Sequence, residues 1–197
     1  MKFTLYFPSN YNEITIKQYR DITALDKKHK QDIHKVMATI RILTNASEDQ
    51  LVKITSKDIL RIEKVLTWLR TPPQTSEVQR TFVMDEVEYG LVPDMENLSV
   101  GEFADLEIYC ESADENMHKI MSVLYRPITR KVSNWYEVEP YKPTQSKTEA
   151  MLQAPFGVAV SLMVFFSVIA KESAQSLPQY LAEKERIQSL KNGDGTK

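Results

Sequence analysis

The stretch AMLQAPFGVAVSLMVFFSVIA, Ala150–Ala170, decides how this chain can fold. Glu149 and Lys171 bound it, and no charged residue lies between them. From Phe156 onward only Ser161 and Ser167 interrupt the apolar run. A helix that is apolar on every side is either wrapped by other elements in a core or spans a membrane. Gln153, Pro155 and Gly157 near its start leave about 15 strongly apolar residues, or about 22 Å of helix. That falls short of a hydrocarbon layer of about 30 Å. No lysine or arginine cluster marks a cytoplasmic side. The stronger reading is therefore a central core helix with Val158, Leu162, Phe165 and Ile169 packed inward. The Val100–Cys110 and Met117–Leu124 segments are expected to cover it. Burial of part of this helix by another subunit is the third option.

Composition supports a globular protein. The chain has 197 residues and a formal net charge of −2, which gives no strong footprint for nucleic acid or an anionic membrane. Five glycines are few, which disfavours Gly-rich phosphate loops and dinucleotide folds. Cys110 is the only cysteine, so no internal disulfide can form, and a reducing compartment fits. The opening MKFTLYFPSNYNE lacks the apolar length and the cleavage site of a secretory signal.

Outward from the central run, the pattern is mainly helical. Phe3, Leu5 and Phe7 alternate with polar residues and predict a strand over Lys2–Phe7. Thr15 with Gln18, Ser47 with Gln50, and Ser99 with Glu102 each make a capping-box pattern, and Thr55 or Ser56 caps a further helix. Helices are expected over about Ile16–Leu25, Gln31–Thr44, Lys57–Arg70, Ser99–Glu111 and Glu115–Tyr125, with a short turn of helix after Ser47. The faces expected to be buried are Val100, Phe103, Leu106 and Cys110 on one helix and Met117, Ile120, Met121 and Leu124 on the next. Pro72-Pro73 stops the third helix. Thr81–Met84 and Val87–Leu91, around Asp85-Glu86, predict a β-hairpin that pairs with the N-terminal strand. Arg126 is read as bonding the last carbonyls of the preceding helix, and Pro127 as fixing where the chain leaves. Trp135–Tyr141 is expected to be a short strand or ordered arm, Lys142–Lys147 turn-like, and Pro155 part of the first turn of the central helix. Lys171–Leu190 continues as an amphipathic helix or breaks at Pro178.

The predicted fold is α+β and mainly α-helical, with six or seven helices around the central helix and a small antiparallel sheet. Residues 1–191 are expected to form one domain, with 31–71 as an inserted helical lobe and 192–197 as a disordered tail.

Chemistry leaves little trace. His29, His34 and His118 sit on different elements without metal-ligand spacing, the carboxylates are spread over helix surfaces, and no P-loop, nucleophile elbow or HExxH is present. No catalytic residue, metal site or cofactor is expected. A small enzyme with a site assembled only by the fold is the minority reading. The basic link Lys27-Lys28-His29-Lys30 reads as a solvated loop.

ENMHKIMSVLYRPIT (Glu115–Thr129), WYEVEPY (Trp135–Tyr141) and the Met151–Ala170 run with its Pro-Phe-Gly-Val-Ala start together resemble a group of small proteins of T-even-like and other large tailed bacteriophages. The opening KFTLYFPSNYNEITIKQY is similar to the same group. The resemblance covers Lys2–Leu25 and Asp85–Leu181 and leaves out Gln31–Thr71. These proteins are described as tail or baseplate hub components or tail assembly chaperones. The resemblance implies a non-enzymatic virion assembly protein in the host bacterial cytoplasm, or in the virion itself. Its implied partners are other phage structural proteins of the tail or baseplate, with self-association left open, and not nucleic acid. A head–tail connector or internal virion structural protein is the alternative. Arg126, Pro127, Trp135, Tyr136 and Tyr141 are the candidate interface, because aromatic and arginine side chains anchor interfaces.

Overall fold

Side-chain caps set the starts of the helices Glu48–Leu51, Ser56–Val65, Val100–Cys110 and Gln145–Ala150. The computed structural model describes residues 3–28, 33–71, 77–95 and 97–167. Within them lie eight α-helical segments and a four-stranded antiparallel sheet. The helices are α1 (Ile16–Lys28), α2 (Ile33–Thr44), α3 (Glu48–Leu51), α4 (Ser56–Val65), α5 (Val100–Cys110), α6 (Ala113–Leu124), α7 (Gln145–Ala150) and α8, which is helical over 156–167. The strands are β1 (Thr81–Met84), β2 (Val87–Leu91), β3 (Tyr125–Val132) and β4 (Trp135–Val138), in that order across the sheet.

The three predicted capping boxes form, and Thr55, predicted only as a cap, makes a box with Asp58 as well. Ser47, Thr55 and Ser99 accept the N–H three residues on, and Gln50, Asp58 and Glu102 return to the cap N–H. Gln18 closes the fourth box with Thr15 at 2.9 Å. The helix expected over Lys57–Arg70 is α4 followed by a tighter 3-10 turn, Leu66–Arg70. The supposed turn Lys142–Lys147 is half helix: Thr144 accepts the Lys147 N–H and starts α7.

The β1–β2 hairpin forms as predicted. Asp85 and Glu86 take positive φ (49° and 63°), the geometry of a two-residue turn whose twist suits a hairpin. Its third strand is not the N-terminus. Residues 3–7 form no strand. Leu5 and Phe7 instead pack on a small cluster made by Ile40, Ala46, Leu51 and Ile62. Position beside β2 is taken by β3, which leaves α6 without a linker and pairs Leu91 with Tyr125 and Tyr89 with Pro127. Alternation predicted a half-buried segment correctly, but it cannot distinguish sheet pairing from packing on helices.

The main core joins the sheet to α8. Met117, Ile120, Met121 and Leu124 of α6 meet Val158, Ala159 and Leu162 of α8, together with Phe82, Met84 and Tyr125. Val158 and Leu162 are fully buried, as expected for a core helix. Phe165 is half-buried beside Phe166, and Ile169 lies outside the described residues, as do Pro72-Pro73, Lys171–Leu190 and Asn192–Lys197. Among the described residues no helix is long and apolar enough to cross a membrane.

The N-terminal segment secures the start of α8. The Ile16 N–H bonds the Ala154 carbonyl at 3.0 Å, and the Phe156 N–H bonds that of Ile14 at 2.8 Å. Pro155 sits in this bridge one residue before the helix rather than in its first turn. The Phe156 ring stacks on Tyr19 at 3.7 Å between centroids. Buried Ser161 is satisfied: it accepts the Gln79 N–H and donates to the Val158 carbonyl.

Candidate interaction surface

α5 departs most from the sequence reading. Of the stripe Val100, Phe103, Leu106 and Cys110, only Leu106 faces the core, and it is half-buried. Val100 is 87% exposed, Phe103 63% and Ile108 59%, and Cys110 is also exposed. The one buried residue of the helix is an acid, Glu102. The inward face is Glu102, Asp105, Leu106 and Tyr109, so the helix is turned roughly a quarter turn from the expected stripe.

Polar bonds from three elements explain that rotation. Glu102 Oε2 accepts both the Ser99 N–H (2.7 Å) and the Ser99 hydroxyl (2.6 Å). Its Oε1 takes Arg126 Nη2 at 2.8 Å, with the two side chains only 7% and 12% exposed. The Tyr141 hydroxyl, from the arm after β4, donates to Asp105, and the Arg126 guanidinium lies over the Tyr141 ring at 5.9 Å. Burial and the Asp105 carboxylate push the Tyr141 phenol above its ordinary range, so it remains the donor. Charged groups removed from water require such partners. Arg126 Nε is buried without one.

The candidate interface residues therefore divide. Arg126 is a strand residue tied to Glu102 and does not cap the helix carbonyls as expected. Tyr136 is buried, its hydroxyl bonded to the Leu91 carbonyl at 2.8 Å, and Tyr141 is engaged with Asp105. Pro127 is half-buried in β3, and its carbonyl accepts the Glu139 N–H. Trp135 alone is open to solvent, with Arg130 over its ring. What the sequence reading missed is the outer face of α5. A signal for it was present: Asp94, Glu96, Glu102, Asp105, Glu107, Glu111, Asp114 and Glu115 follow one another without a lysine or arginine between them.

Arg126, Tyr141, Tyr89, Lys147 and Met151 also line a cleft of about 190 Å³ beneath α7, smaller than the usual ligand pocket of about 300–1,000 Å³. No carboxylate or histidine lines it. His118 is buried elsewhere on α6, its Nδ1 without a partner. Burial, with Arg20 and Lys119 nearby, lowers its pKa. His34 is exposed, and among the described residues no group of three histidine, cysteine or carboxylate side chains could hold a metal ion. No known protein family, curated protein or solved structure matches the chain.

Proposed function

We propose that this protein is a non-enzymatic bacteriophage virion assembly protein, a tail or baseplate hub component or a tail assembly chaperone, working in the host cytoplasm through protein–protein contacts. The phage assignment rests on the sequence resemblance of Glu115–Thr129, Trp135–Tyr141 and Met151–Ala170. The observation that carries a binding role is α5. Val100, Phe103 and Ile108 are exposed on it while a buried ion pair faces inward, and exposed apolar area of this kind marks interaction sites. Trp135 and Val132, both exposed at the β3–β4 turn, give a second anchor.

Co-expression with the tail and baseplate proteins of a T-even-like phage tests this. The expected result is a co-purifying complex with one of them. A chain that stays monomeric and binds none refutes the reading. Mass spectrometry of purified virions then separates a structural component, present at fixed copy number, from a chaperone.

A further inference from the structure

We infer that the outer face of α5 docks a basic amphipathic helix of a partner protein. The inference rests on the protein-binding reading above, though not on its phage assignment. Val100, Ala104, Glu107 and Glu111 follow one line along this face, with Phe103 and Ile108 to either side. All are exposed.

The two acids identify the partner's chemistry. Glu107 and Glu111 are like charges four residues apart, which is unfavourable on a helix. They lie in the last turn and at the C-cap, where the helix dipole disfavours acids, and no basic residue is present there. Neither forms an ion pair among the described residues. Asp114 and Glu115 need no such explanation, because the first turn of α6 favours acids. Folding thus gains nothing from Glu107 and Glu111, whereas a cationic partner would relieve both repulsions. A second copy placed with α5 against α5 would double them, so charge complementarity selects a foreign partner. That partner presents apolar side chains at helical spacing toward Val100, Phe103 and Ile108, with lysine or arginine toward Glu107 and Glu111. α5 is about 16 Å long, so the contact is of the small, reversible class.

Two synthetic helical peptides of about 14 residues test this on the full chain by fluorescence anisotropy. They share one leucine stripe, bordered by lysine in the first and by glutamate in the second. The lysine peptide is expected to bind at least about tenfold more tightly. Phe103→Ser/Ile108→Ser should abolish binding, and Glu107→Lys/Glu111→Lys should reverse the preference. These side chains are exposed, so the variants keep the fold, and Val65→Ser, on exposed Val65 of α4, serves as the unaffected control. Bound lysine peptide should also shield Cys110, the sole thiol, from maleimide. Equal binding of the two peptides, or unchanged binding by Phe103→Ser/Ile108→Ser, overturns the inference. So does a wild-type dimer in sedimentation that this variant dissolves. If a tail protein co-purifies equally with wild type and Phe103→Ser/Ile108→Ser, the assembly role stands and the α5 assignment fails.

Discussion

Replacing Arg126 by Met should destabilise the protein by about 3 kcal/mol. Removing one partner of a buried ion pair typically costs about 3–5 kcal/mol, because the other charge is left in a poor solvent. Here the Glu102 carboxylate would remain 7% exposed with its Oε1 bare. Its Oε2 would still hold both bonds from Ser99, which puts the cost at the lower end. Methionine retains most of the aliphatic volume, so cavity formation adds little. For a chain of this size the loss corresponds to a fall in Tm of about 6–12 °C. Glu102→Gln should cost a comparable amount, since it strands the guanidinium, and the double variant should cost clearly less than the sum. Urea unfolding of the four proteins measures the coupling. Single losses under about 1 kcal/mol that add within about 0.5 kcal/mol would show the pair to be solvated, and the account of how α5 is oriented would fail.

Gly90→Ala should cost about 1–3 kcal/mol. A Cβ there would lie 2.5 Å from Tyr136 Cε2 and 3.0 Å from Ile128 Cγ1, and Tyr136 is pinned by its hydroxyl bond to Leu91; a shift in the urea midpoint reads it. His118 should make stability fall as pH drops through about 6.5. Its folded-state pKa lies below the ordinary value of about 6.5, so the unfolded chain takes up the proton first. Loss stops once the pH is below the folded-state pKa. His118→Gln should flatten urea midpoints across that window, and an unchanged slope would place the proton uptake elsewhere. Thr55→Ala should cost about 1 kcal/mol, because it removes the cap of α4 and with it the hydroxyl that holds the Asp58 carboxyl below its usual range; the Asp58 pKa, read by NMR, should rise. Glu102→Leu/Arg126→Met should be as stable as wild type or more so, yet change the maleimide reactivity of Cys110 if the pair sets the rotation of α5.

Helix limits were legible because capping is local. Ser47, Thr55 and Ser99 act on N–H groups three residues away, so sequence spacing is the whole geometry. The Asp85-Glu86 turn was legible for the same reason. Pairing of Lys2–Phe7 was not, since an alternating segment is equally served by a sheet neighbour and by the α2–α4 cluster that Leu5 and Phe7 actually cover. The face of α5 was misread for a related reason. Apolar periodicity gives the rotation of a helix only when nothing stronger competes, and Arg126, 24 residues on in sequence, offers Glu102 an interaction that periodicity does not register.

The ion pair makes better sense as an orienting device than as a source of stability. A leucine at position 102 would pack against β3 about as well, since apolar replacements of buried pairs are often neutral or stabilising. It would also widen the apolar side of α5: Phe103, Leu106 and Cys110 already form one stripe, which residue 102 would extend. Such a helix could lie on α6 in more than one rotation at similar free energy. Glu102 removes that degeneracy, because only one rotation brings its carboxylate to Arg126 while Ser99 still closes the cap. The Tyr141–Asp105 bond, one turn further along, enforces the same choice. A chain whose only requirement was a stable core would turn Phe103 and Cys110 inward beside Leu106. Two polar bonds that keep them in solvent instead are intelligible if that surface is what the protein presents to a partner.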